Sequence, residues 1–329
     1  MTKTVAMFET SYQHIGPRLD ALGLDIEVQT FDKDGLFRIG GTRVPAQDVA
    51  VDYLWLTAHI NRDGFRDRAF EIVLGCKSIG TLQTFNAGLD HPFYKKISDK
   101  GTRICNSSAQ GVAIAEYTLA QVLALYQPIE LQRDLQARRQ WQNTPFRELS
   151  QSSWLIVGFG PIGRELATRV KAFGARTAVV RRTPAASPLA DEVATLADLG
   201  RLLPAADVIV LACSLNAATR GFAGADFFSA VKTGAILVNI ARGGLIDDAA
   251  LLAALDRGQL ATAVLDVFHQ EPLPAASPYW SHPQVRLTSH TSFAGSGVQS
   301  RWDQLFLDNV GRFARGEPLA NVVDPGDLA

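Results

Sequence analysis

From Trp154 onward the chain repeats one pattern: a short run of consecutive apolar residues, a turn, then a stretch with apolar positions every three or four residues. The apolar runs fall at 154–159, 176–181, 207–213, 235–241, 261–267 and 285–289, and helical periodicity fills intervals such as 161–173, 195–203 and 247–257. Strands that are apolar at every position are buried on both faces. The pattern therefore predicts a parallel sheet with helices on each side. Before about residue 105 a second, less regular alternation carries candidate strands at 3–9, 26–31, 51–57, 79–85 and 102–105. A closing helix is expected from Gln299 to Phe313. Segment 112–126 is apolar nearly all round, which suits a helix buried on most faces, either as an internal connection between domains or at a subunit interface.

A chain of 329 residues is long for one core, so two domains are expected. With 47% hydrophobic and 20% charged residues the composition is that of a globular protein, and a net charge of −1 gives no electrostatic case for nucleic acid or an anionic membrane. The opening residues, Met1 to Glu9, read as a first strand and not as a signal peptide, and no apolar run reaches membrane-span length. Cys76, Cys105 and Cys213 lie far apart and lack metal-ligand spacing, so they are expected to be reduced and no metal is expected. These features suit a cytoplasmic enzyme.

The first apolar run ends in Gly158-Phe159-Gly160-Pro161-Ile162-Gly163, and a helical pattern follows at once. Strand, G-x-G-x-x-G and helix together form a dinucleotide-binding fingerprint. Gly158 permits the tight turn, Gly160 lets backbone approach a pyrophosphate, and Gly163 lets the helix pack close to the strand. The helix N-terminus offers N–H groups and a positive dipole end to that anion. Eighteen positions after Gly163, where a carboxylate would hold the ribose of NAD, stands Arg181, followed by Arg182 and Thr183. A guanidinium there can grip a 2′-phosphate, so NADP is expected ahead of NAD. Cys213 and Ala241, which close the third and fourth strands, join the expected cofactor-contacting set.

Ligands of open parallel sheets bind beyond the carboxyl ends of the strands. Arg242 directly follows strand 235–241, Glu271 comes shortly after strand 261–267, and His290 closes the last strand. An arginine can bind a carboxylate and polarise a ketone. A histidine can supply a proton to the developing alkoxide, with a carboxylate favouring its charged form. Among the six histidines, His14, His59, His91 and His269 have no comparable strand-end context, and His282 reads as a turn residue.

These residues carry a resemblance over almost the whole chain. The glycine loop, Asn239 to Asp247, Ala263 to Phe268 with Glu271-Pro272-Leu273-Pro274, His290, and the closing Asn321-Val322-Val323-Asp324 resemble the D-isomer-specific 2-hydroxyacid dehydrogenase family. The resemblance implies two Rossmann-like or flavodoxin-like α/β domains with parallel sheets and an active site in the interdomain cleft. It places a substrate domain at 1–105 plus 294–329 and a dinucleotide-binding domain at 106–293. It implies that Arg242 binds the 2-keto acid, that His290 is the acid/base paired with Glu271, and that Asp266 lies near the nicotinamide carboxamide. The backbone amides of Ala87 and Gly88, in Phe85-Asn86-Ala87-Gly88-Leu89-Asp90, would hold the substrate carboxylate. A homodimer to which 112–126 contributes is also implied.

The chain departs from the family pattern at Cys213-Ser214-Leu215-Asn216, where many relatives carry Leu-Pro, and at Ser289, where proline is common. The leading expectation is NADPH-dependent reduction of a small 2-keto acid, glyoxylate or hydroxypyruvate, to the D-2-hydroxy acid. A reductase of a bulkier 2-keto acid comes second. A catalytically silent, dinucleotide-sensing interaction protein is the reading from another class, against which Arg242, Glu271 and His290 argue.

Overall fold

The computed structural model describes residues 2–328, apart from the side chains of Arg62, Asp63 and Asp327; Met1 and Ala329, which end the expected substrate domain, lie outside the described residues. The chain divides into two units, Met1–Ala109 with Ser296–Ala329, and Gln110–Gly295. The flank beyond residue 105 stays with the first unit because the Ser107 N–H donates to the Asn86 carbonyl at 2.9 Å and the Arg301 guanidinium to the Ala109 carbonyl at 2.7 Å.

The first unit runs β1 (Lys3–Phe8), α1 (Glu9–Asp20), β2 (Ile26–Phe31), β3 (Leu36–Ile39), β4 (Thr42–Pro45), β5 (Ala50–Leu56), α2 (Arg66–Gly75), β6 (Ser78–Thr84), α3 (Pro92–Asp99) and β7 (Arg103–Cys105). Its sheet has the order β4-β3-β2-β1-β5-β6-β7. The expected parallel sheet is formed by β2-β1-β5-β6-β7, and an antiparallel edge extends it, since β3 pairs antiparallel with both β2 and β4. Turn chemistry is the cause. The Asp32 carboxylate accepts the Asp34 and Leu36 N–H groups, closing a turn at Gly35, and Gly40 and Gly41 both take positive φ (+52° and +85°) in a two-residue hairpin. These edge strands are mostly exposed, so no apolar run marks them in the sequence.

The second unit runs α4 (Gly111–Tyr126), α5 (Ile129–Ala137), β8 (Ser153–Val157), α6 (Pro161–Ala172), β9 (Arg176–Val180), β10 (Glu192–Ala194), α7 (Leu199–Leu202), β11 (Val208–Leu211), α8 (Ala225–Ala230), β12 (Ala235–Asn239), α9 (Asp248–Asp256), β13 (Leu260–Leu265) and β14 (Val285–Leu287). All seven strands are parallel in the order β10-β9-β8-β11-β12-β13-β14. Every residue of β11 and β12 is buried, as continuous apolar strands require. The apolar helix α4 is packed within this unit: Ile114, Ala115, Leu119 and Val122 share a core with Leu166, Ala167 and Val170 of α6.

The chain then returns to the first unit as α10 (Val298–Arg315), whose Phe306 stacks on Trp55 with ring centroids 3.9 Å apart. Among the described residues no helix is long and apolar enough to cross a membrane.

Candidate active site

The glycine loop joins β8 to α6. Gly158 has φ +112°, and a Cβ there would lie 2.5 Å from the Ala212 carbonyl and the Cys213 nitrogen, so only glycine fits against the chain leaving β11. A Cβ at Gly163 would collide with the Gly158 carbonyl, which is the close strand–helix approach that the motif requires. Gly160, by contrast, faces open space, with nothing within 4 Å of a Cβ position. Among the described residues no side chain caps the start of α6. An open glycine at an uncapped helix N-terminus fits a pyrophosphate, so the residues present suit a dinucleotide.

Phe159 is buried, with the guanidiniums of Arg164 and Arg181 at 5.0 and 6.0 Å from its ring centroid. Arg181 therefore sits beside the glycine loop, anchored through its own N–H to the Ala194 carbonyl at 3.0 Å. Arg182 and Thr183 follow as exposed residues. Burial pushes the Cys213 thiol up to about 11, so this side chain lines the end of β11 as a neutral thiol.

At the other side of the sheet, β12, β13 and β14 end level, with Asn239, Leu265 and Leu287 in register. Arg242, Asp266, Glu271 and His290 all follow these aligned ends. The Arg242 turn is shaped by Asn239, which is fully buried; its amide donates to the Arg242 carbonyl at 2.9 Å and accepts the Ala241 N–H at 3.1 Å. Gly243 lies so close to Phe268 and His269 that a Cβ would strike their backbone. This holds the Arg242 turn against the loop that carries Glu271. That loop is folded on itself, because one Glu271 oxygen accepts the Phe268 N–H at 2.9 Å. The other oxygen meets the Nδ1 of His290 at 2.7 Å. His290 itself has φ +50°, and Asp266 lies buried beneath it.

Sequence alone misses several of these partners. His59 follows β5 by three residues and is buried against Ser11 and Thr57 at 3.2 and 3.1 Å, and His269 reaches the Ile246 carbonyl at 2.9 Å, so both do lie near strand ends. His14 pairs with Asp303 of α10, His91 caps α3, and His282 accepts the Gln284 N–H in a turn. Ala87 and Gly88 belong to the first unit. Their loop is held by Asn106, which donates to the Ala87 carbonyl at 2.9 Å, and by Trp302, which donates to the Phe85 carbonyl at 3.0 Å. Among the described residues no acceptor takes the Ala87 or Gly88 N–H.

Comparison with known proteins adds to this geometry. The profile of the family described as "D-isomer specific 2-hydroxyacid dehydrogenase, NAD binding domain" matches residues 119–292. Glyoxylate/hydroxypyruvate reductase A of Klebsiella pneumoniae (strain 342) is 29% identical over 235 residues, covering 71% of this chain and 74% of that protein. The 4-methyl-2-oxopentanoate reductase A of Aspergillus oryzae is 33% identical over 237 residues, 71% of each chain. A crystal structure of a D-isomer specific 2-hydroxyacid dehydrogenase from Xanthobacter autotrophicus Py2, in complex with NADPH and MES, is similar with a TM-score of 0.77 at 25% identity, covering 99% of both chains.

Proposed function

The chain belongs to the D-isomer specific 2-hydroxyacid dehydrogenases, a family of NAD(P)-dependent enzymes, and from that premise we propose that it reduces a small 2-keto acid, glyoxylate or hydroxypyruvate, with NADPH preferred over NADH. The observation that carries this reading is the 2.7 Å contact between Glu271 and the Nδ1 of His290, placed with Arg242 beyond strand ends that are in register. When bound, the nicotinamide supplies the hydride. The chain's own residues bind the acid, orient its ketone and deliver the proton.

Arg242 holds the substrate carboxylate and draws charge onto the ketone oxygen, a task suited to a planar fork. The amides of Ala87 and Gly88 are suited to donate to a carboxylate, being two donors that no group in the described residues engages. His290, with Nδ1 turned to Glu271, has Nε2 for the alkoxide proton; Glu271 stabilises the imidazolium that gives it up. In this reading the first unit is the substrate domain and the second the dinucleotide domain, with Asp266 near the carboxamide. The preference for NADPH rests on Arg181 beside the glycine loop, and the Xanthobacter relative was crystallised with NADPH. Free Cys76, Cys105 and Cys213 suit a reducing cytoplasm. A silent sensor has less support, since the chain retains Arg242, Glu271 and His290 within an enzyme family.

One observation favours a second substrate. The Aspergillus relative, more similar per residue, is named for a branched five-carbon-chain keto acid, 4-methyl-2-oxopentanoate. Measuring kcat/KM with NADPH for glyoxylate, hydroxypyruvate and 4-methyl-2-oxopentanoate tests the choice. We expect one of the two small acids to lead. A lead for 4-methyl-2-oxopentanoate of tenfold or more, about 1.4 kcal/mol, would reverse the order.

A further inference from the structure

We infer that Tyr117 and Thr288 are positioning residues for His290, acting through Asp266. The starting point is the left-handed backbone of His290 (φ +50°), which residues other than glycine hold only where their surroundings impose it. Asp266 imposes it. Its main-chain carbonyl accepts the His290 N–H at 2.8 Å, and its carboxylate accepts the N–H groups of Thr291 at 2.8 Å and Ser292 at 3.0 Å. Three successive amides thus converge on one fully buried residue.

The carboxylate is itself oriented. Its Oδ1 also accepts the Thr288 hydroxyl at 2.6 Å. A threonine hydroxyl has one proton, and here that proton goes to Asp266. The Tyr117 hydroxyl, 2.7 Å from Thr288 Oγ1, must therefore be the donor in that contact. Burial pushes the Tyr117 phenol up from its ordinary value, although the bond to Thr288 pulls the other way, so the phenol keeps the proton it donates. The hydrogen bonds run in one direction, from Tyr117 to Thr288 to Asp266, and end on the backbone that sets the imidazole. Tyr117 lies on the largely apolar helix α4, 171 positions before Thr288. Its hydroxyl gives that packed helix a direct hold on the His290 turn.

The inference rests on His290 being the acid/base, and a His290→Ala control separates the two claims. The test is a double-mutant cycle in the full chain, reading kcat, KM for the keto acid and Tm. Tyr117→Phe should lower kcat by roughly three- to tenfold, the kinetic equivalent of one neutral hydrogen bond, with KM nearly unchanged. Thr288→Val should do at least as much, and Thr288→Ser, which keeps the hydroxyl, should recover kcat to within about twofold of wild type. In the Thr288→Val background, or Thr288→Ala if valine does not fold, Tyr117→Phe should cost nothing further. Wild-type kcat in Tyr117→Phe, or the same fold loss in both backgrounds, overturns the relay. An active His290→Ala variant overturns instead the acid/base assignment on which it rests.

Discussion

In the proposed reading, Arg181 stands where the choice between the two dinucleotides would be made. A carboxylate there would repel a 2′-phosphate, and the guanidinium lies 6.0 Å from the Phe159 ring centroid, at the edge of the glycine loop. A charge-assisted bond contributes roughly 1.5–3 kcal/mol, so we expect NADPH to bind at least about tenfold more tightly than NADH. Arg181→Asp should erase or reverse that ratio, and added salt should shrink it in the parent chain. Dissociation constants from nicotinamide fluorescence decide this; equal values in the unmodified chain would mean that the arginine is only solvated. At this scale the sequence was most readable where a polar residue stands just beyond a strand end, as Arg242 and His290 do three residues past β12 and β14. It was silent on Tyr117, Thr288 and Asn239. Each is a common polar residue on or beside an apolar element, and its partner is defined only once distant segments meet.

Among the elements, the parallel core announced itself because a strand buried on both faces leaves an unbroken apolar run, as in β11 and β12. The hairpin of β3 and β4 and the three-residue β10 did not, since exposed or very short strands leave no such run. The entry to the second sheet depends on a charge. Asp207 is nearly buried, accepts the Ser153 N–H at 2.9 Å, and meets Lys232 at 2.7 Å and Arg147 at 2.8 Å. Burial alone would raise its pKa, but the bonds from Lys232, Arg147 and the Ser153 amide outweigh it and leave the value lowered. A carboxyl whose pKa is lower folded than unfolded adds stability above the unfolded value, about 3.9, and loses it as pH falls through the folded one. Asp207→Asn should therefore lower Tm at neutral pH by roughly 4–8 °C, on the order of 2 kcal/mol for a unit of this size. The gap between the two proteins should narrow below about pH 4. Thermal melts at pH 7, 5 and 3 check this, and a gap that stays constant down to pH 3 would show that the charge of Asp207 adds nothing.

For the whole molecule, the exposed apolar surface bears on assembly. The sequence pointed to 112–126 as a possible interface, yet much of α4 is packed inside its own unit. The large exposed apolar side chains nearby follow it instead: Ile129, Leu131, Phe146 and the fully exposed Trp141. Exposed apolar side chains within one stretch, 129–146, are surface that association would cover, and we propose that this stretch forms the homodimer interface. Light scattering should give the mass of a dimer for the unmodified chain and of a monomer for Trp141→Asp; a monomeric unmodified chain would remove the proposal.

Whether the imidazole that Glu271 holds delivers the proton is decided by comparing the unmodified chain with His290→Ala. NADPH consumption is followed at saturating glyoxylate or hydroxypyruvate, and the NADPH dissociation constant is measured on the same samples. Loss of a general acid should lower turnover by about 10²- to 10⁴-fold while leaving that constant nearly unchanged. Turnover in His290→Ala close to that of the unmodified chain would remove His290 from the reaction.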